Sequence, residues 1–170
     1  VSGEVDTAWI EPLGARLHLG VTYISWPFLL MTALLGLLCC VWLAAEDTSP
    51  ALVGLVLVIT ASAMGVFSSL DLLLFFVFFE LALIPMWFVI AWWGDPHDPE
   101  GRRRAATRFL LFTVTGSALL LVGIIIVARD SQSLQILEVD GAPLVAAVLI
   151  VLGFAVKTPL VPLHTWLPDA

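Results

Sequence analysis

Leu72-Leu-Leu-Phe-Phe-Val-Phe-Phe-Glu80-Leu-Ala-Leu-Ile-Pro85-Met-Trp-Phe-Val-Ile-Ala-Trp-Trp93 holds one formal charge in 22 residues. A helix that crosses a bilayer needs about 20 apolar residues, so this window reads as a membrane span. The stretch from Ala142 to Leu167 repeats the pattern with the opposite sign, because Lys157 is its only formal charge. A charge at the centre of such a helix costs about 2.5–3.5 kcal/mol on insertion scales. It is tolerated where it has a partner or a task. Two such groups of opposite sign on separate spans suggest charge movement through a membrane.

Composition agrees. Of the 170 residues, 61% are hydrophobic and 12% charged, and the mean hydropathy is +1.06. Soluble domains carry roughly 25% charged residues. The net charge of −7 lies mostly in loops and the N-terminal segment. Few basic residues are present and most share one loop, which argues against a nucleic-acid partner and leaves the lipid bilayer as the surrounding phase. Cys39 and Cys40 are adjacent in an apolar segment and read as small packed hydrophobes. No metal-ligand spacing is visible. No iron–sulfur, haem, dinucleotide or P-loop motif is visible either, so no cofactor is expected in this chain. The chain opens on Val1 and stops at Ala170, and we read it as a piece of a longer protein.

The expected fold is all-α: a polytopic transmembrane helix bundle of about five spans, the last one broken at Pro159/Pro162. Residues 1–20, with Trp9, Pro12 and Gly14, form a non-membrane, exposed lead-in. Residues 21–170 form the membrane domain, with spans at about 21–45, 51–70, 72–93, 105–128 and 142–167. Ala61, Gly65 and Ser69 make a small-residue stripe that lets another helix approach closely. Asp71 stands at the edge of the third span and reads as a cap. The prolines and glycines between Gly94 and Arg104 predict a loop rather than a helix. Arg102, Arg103, Arg104 and Arg108 place that loop on the cytoplasmic side, with headgroup contact as a secondary role. The N-terminal segment and the loop around residues 129–141 then share the opposite side.

Glu80 should face the interior of the bundle, because a lipid-facing carboxylate is costly. Pro85 withholds a hydrogen bond from the Leu81 carbonyl, next to that carboxylate. Pro159 and Pro162 do the same to Ala155 and Thr158, so the helix should break beside Lys157 and leave carbonyls open. Broken helices of this kind line hydrated ion sites in transporters. Burial disfavours the charged form of an amine or a carboxyl, and a nearby opposite charge restores it. A Lys–Glu pair of variable separation is therefore a proton switch; at fixed separation it is an inert structural ion pair. His164, seven residues beyond Lys157, has the ordinary pKa of a relay group; it also reads as a packing residue. Thr113, Thr115 and Ser117 read equally as a water path or as helix packing around Gly116.

These same residues carry a family resemblance. Phe78-Phe-Glu-Leu-Ala-Leu-Ile-Pro-Met-Trp, ending in Trp93-Gly94, resembles the glutamate helix of the antiporter-like membrane subunits of respiratory complex I. Ala105-Ala-Thr-Arg-Phe-Leu-Leu-Phe-Thr is similar to the segment that follows it. Phe154-Ala-Val-Lys-Thr-Pro-Leu-Val-Pro-Leu-His-Thr-Trp-Leu-Pro-Asp-Ala resembles the family's broken lysine helix, in a form closest to the M (chain 4) branch. The resemblance begins at about Leu17 and implies the third to seventh helices of a fourteen-helix subunit. It departs where the family carries Asp-Gly at the start of the first span and this chain has Thr22-Tyr23.

The resemblance implies a proton-translocating membrane subunit, with Glu80 and Lys157 as the proton-transfer pair and His164 as a further relay. It implies other membrane subunits of the complex as partners and protons as the transported ion. NADH, FMN, iron–sulfur clusters and quinone would reside in partner subunits. The implied location is the bacterial plasma (inner) membrane, multi-pass. A subunit of a multi-subunit cation/proton antiporter is the alternative function. A non-conducting truncated scaffold is another.

Overall fold

Alternation at Val5, Thr7 and Trp9, and again at Leu17, Leu19 and Val21, with Pro12 and Gly14 between, is the signature of a β-hairpin. The computed structural model describes residues 1–46, 48–131 and 133–169. In it, β1 (Ser2–Ile10) pairs antiparallel with β2 (Ala15–Val21). The turn between them is a 3-10 element, Glu11–Leu13, closed by Gly14 at φ 65°. That left-handed conformation comes at little cost to glycine. The lead-in is thus a paired hairpin, and the period-two alternation is why.

Helices make up the rest: α1 (Ser25–Ala45), α2 (Pro50–Ser68), α3 (Leu72–Leu81), α4 (Leu83–Trp93), α5 (Pro99–Ser131) and α6 (Leu144–Lys157). Together α3 and α4 form one 22-residue apolar element, interrupted at Ala82. Among the described residues, four helical elements are long and apolar enough to cross a membrane, and α6 is a shorter apolar helix. The protein is a polytopic helical membrane fragment.

Local chemistry sets the ends. The Ser25 amide donates to Thr22 Oγ1 at 3.1 Å and the Thr22 amide to Ser25 Oγ at 2.9 Å, a reciprocal cap at the start of α1. Thr22, one of the two residues at the Asp-Gly departure, thus takes part in the start of α1. Ser49 caps α2 ahead of Pro50. The arginine stretch is helical from Pro99 onward, not a loop through Arg104. Pro is favoured in the first helical turn, where its missing N–H costs nothing. Asp98 completes that start by accepting the Gly101 amide at 2.8 Å.

Contacts divide the chain into two units, Val1–Pro85 with Ser133–Val139, and Met86–Gln132 with Asp140–Ala170. In the first unit, α1 and α2 stack through Phe28 and Phe67, with centroids 5.3 Å apart. Gly65, from the small-residue stripe, makes room for the Phe78 ring of α3: a Cβ there would stand 2.2 Å from it. Only Gly36 and Leu43 of α1 are buried. Cys39 is exposed and Cys40 partly so, which corrects the packed reading: they flank the narrow stripe of Gly36 and Leu43 that α1 buries, without entering it.

In the second unit, α5 and α6 run antiparallel in close contact. A Cβ on Gly153 would stand 2.7 Å from the Gly116 carbonyl oxygen, and one on Gly123 3.1 Å from that of Ala146. Small residues permit this backbone approach. Thr113 and Ser117 are buried on the same α5 face and donate to the carbonyls of Phe109 and Thr113.

Candidate functional site

Glu80 stands about 12 Å along α3 from Leu72, at 1.5 Å per residue. It is partly buried. The α3 segment that carries it is held by the Phe78–Gly65 contact and by a Phe75–Phe79 stack at 5.4 Å. One residue after Leu81 the helix is interrupted, and α4 resumes at Leu83. Pro85 is buried and has no N–H for the Leu81 carbonyl, so the interruption falls where proline chemistry puts it.

Lys157 is the last residue of α6 and is partly buried. It lies roughly 20 Å along that helix from Leu144. A cation at a helix C-terminus meets the negative end of the helix dipole, which favours it there. Beyond Lys157 the chain turns without a regular helix as far as Trp166. Sequence chemistry predicted an open Ala155 carbonyl here. The structure closes it: the Leu160 amide donates to the Ala155 oxygen at 3.0 Å, stepping over Pro159 in a wider turn. The Thr158 amide donates to Phe154 at 2.7 Å. Trp166 folds back, donates from Nε1 to the Val156 carbonyl at 3.1 Å and packs edge-on against Phe109 of α5. The break is a built segment, with the carbonyls of three successive residues before Lys157 engaged.

His164 lies inside that segment, partly buried. Its Nδ1 is buried and has no hydrogen-bond partner among the described residues. Lys157 and His164 belong to the second unit and Glu80 to the first.

Sequence reasoning missed a polar cluster at the foot of α3. Asp71 is fully buried. Its Oδ1 accepts the amides of Leu73 and Leu74 at 2.9 and 3.0 Å, and its Oδ2 accepts the Arg16 amide and Gln135 Nε2, both at 3.0 Å. A carboxylate can be buried where donors replace water. The hairpin and residues 133–139 both converge on this point: Leu70 donates its amide to His18, Leu72 to Leu134, and Ile136 to Leu70. His18 faces Gln135 through Nδ1 and Glu4 through Nε2, the latter at 2.6 Å. Burial works against a charged His18 ring. Hydrogen bonds to Gln135 and Glu4, with the fields of Asp6 and Glu4, outweigh it and hold its pKa above the usual imidazole value. The Arg16 guanidinium beside Asp6 holds that carboxyl below its ordinary range. The only local signal of this cluster was Asp71 itself, a carboxylate placed at the start of an apolar run.

Among the described residues, four helical elements could cross a membrane, one of them interrupted two residues after Glu80, and the last helix ends at Lys157; this is the architecture of a polytopic helical membrane protein. A family model described as "NADH:quinone oxidoreductase/Mrp antiporter, TM" matches residues 69–170, and the chain belongs to that family. It is similar to NADH-quinone oxidoreductase subunit M of Escherichia coli (strain K12), at 35% identity over 98% of this chain and 36% of the relative. It is also similar to NAD(P)H-quinone oxidoreductase chain 4 1 of Picosynechococcus, at 37% identity over 96% of this chain and 32% of the relative. Among solved structures, a chain of respiratory complex I from Thermus thermophilus superposes with a TM-score of 0.84, at 30% identity. That match covers 98% of this chain and 36% of the other. The chain thus spans about a third of the length of these relatives.

Proposed function

We propose that this chain is part of a proton-translocating membrane subunit of a bacterial NADH-quinone oxidoreductase, multi-pass in the plasma membrane. Quinone reduction in partner subunits drives it, and those subunits hold NADH, FMN, iron–sulfur clusters and quinone. Glu80 and Lys157 exchange proton affinity as their separation changes, and His164 passes the proton onward. The observation that carries this reading is the position of Lys157. It ends α6 at a break whose carbonyls are already engaged, and a backbone fixed in this way supports a defined position for the amine.

The test is Lys157→Ala and Glu80→Gln in the full-length subunit of the assembled complex. Protons translocated per electron pair should fall severalfold in each, with assembly retained. Undiminished translocation in both variants leaves the pair structural and the chain a scaffold.

A second reading has a specific support, since the family description includes the Mrp antiporters. In that case the parent protein exchanges a cation for protons without quinone reduction. Sodium-dependent proton flux in vesicles that lack any NADH:quinone activity would favour it.

A further inference from the structure

We infer that His18 is a proton-operated latch, which as an imidazolium ties the N-terminal hairpin to the buried carboxylate at the start of α3. Hydrogen-bond roles carry the inference. Gln135 must donate from Nε2 to Asp71 Oδ2, because the reversed amide would set its carbonyl oxygen against a carboxylate oxygen. Its Oε1 is thereby committed to His18 Nδ1, so Nδ1 must donate. Nε2 faces the Glu4 carboxylate and must donate as well. A neutral imidazole has one N–H and an imidazolium has two. Both contacts hold together only when the ring carries the second proton. When that proton leaves for water, a nitrogen lone pair is set against an oxygen lone pair and one contact is lost.

The charged groups around the ring favour this. From β1 come Glu4 and Asp6, the latter directly across the ladder from His18. Asp71 acts through Gln135 from the foot of α3, and Glu138 of the 133–139 segment adds its negative field at Arg16. Arg16, on β2, is the opposing cation, and it is paired with Asp6 at 2.6 Å. Acidic groups outnumber it. The His18 side chain is 12% exposed, so a proton can reach it from water.

The latch joins three segments distant in the chain. His18 sits on β2, Asp71 precedes α3, and Gln135 follows α5. It does not require that Glu80 or Lys157 move protons. It makes the attachment of the hairpin to α3 depend on the pH of the compartment that the hairpin faces.

The experiment is hydrogen–deuterium exchange on the full-length subunit in its assembled membrane complex, labelled at a series of pH values from 5.5 to 8.5. Peptides containing Leu70, Leu72 and Ile136 report the latch, since these amides make the docking bonds. After correction for intrinsic exchange, protection should be higher at pH 5.5 than at pH 8.5, since the contact that needs the second proton is lost as the ring deprotonates. His18→Gln should abolish the difference. Glu4→Gln, a change at a half-exposed side chain, should move the midpoint to lower pH without unfolding the hairpin. Equal protection of the unmodified protein at both ends of the series overturns the inference. So does an unchanged midpoint in Glu4→Gln, which decides the matter even where the His18 variant fails to assemble.

Discussion

Trp166 Nε1 stands 3.1 Å from the carbonyl oxygen of Val156, and both residues are buried. This bond ties the far end of the broken segment to the residue just before Lys157. It closes the proline-interrupted chain into a collar that joins the backbone beside Lys157. Trp166→Phe keeps most of the ring volume against Phe109 and removes only the donor. A buried carbonyl without its partner costs about 1–3 kcal/mol. The thermal unfolding midpoint of the purified full-length subunit should fall accordingly. An unchanged midpoint would show that the collar is held by ring packing alone.

Gly153 and Gly54 are both helical glycines, and they should respond oppositely to alanine. A Cβ at Gly153 meets the Gly116 backbone at 2.7 Å, whereas one at Gly54 meets nothing within 4 Å. Overpacking of this kind costs roughly 1–3 kcal/mol. Alanine in an open helix position gains up to about 1 kcal/mol over glycine. Gly153→Ala should lower the melting temperature and Gly54→Ala should hold or raise it. Equal behaviour of the two would mean that α5 and α6 do not approach through their glycines.

Asp71→Asn tests the anchor at the foot of α3. The substituted amide has one acceptor oxygen where the carboxylate has two. Whichever way it turns, two of the four donors now facing Asp71 meet an NH2 group. Each orphaned donor costs about 1–3 kcal/mol. The variant should unfold at clearly lower denaturant concentration than the unmodified subunit. Unchanged stability would remove Asp71 from any anchoring role.

The hairpin should be held best over a bounded pH range. The folded-state pKa of His18 is raised, so its contribution is complete below the ordinary imidazole value of about 6.5 and is lost as pH rises through the raised one. The folded-state pKa of Asp6 is lowered by Arg16, so its contribution is present above the ordinary carboxyl value and is lost as pH falls through the lowered one. Amide exchange in β1 peptides, followed from pH 3 to 9, should show a protection maximum between the two limbs. Protection that only falls with pH across that range would contradict the Asp6 assignment, and protection that only rises would contradict the His18 one.

Glu80 and Lys157 were legible as candidates because each is a lone charge in a membrane-length apolar run. The break after Lys157 was legible because proline lacks an N–H wherever it stands. The occupants of the freed carbonyls were not. Leu160 and Trp166 reach Ala155 and Val156 through a turn whose path depends on packing against α5. The start of α5 was misjudged because Pro and Gly weaken a helix interior, yet Pro99 occupies the one turn where proline fits.

By itself the sequence determined that this is a polytopic membrane protein, with a lone carboxylate and a lone amine in two apolar stretches and a fractured last helix. Hydropathy, charge and backbone donors are properties of single residues and short windows. The tertiary structure alone decided that His18, Asp71 and Gln135 form one cluster. His18 and Gln135 are 117 residues apart and Asp71 and Gln135 are 64 apart. A hydrogen bond over such separations depends on how helices and hairpin pack, and no local pattern encodes it.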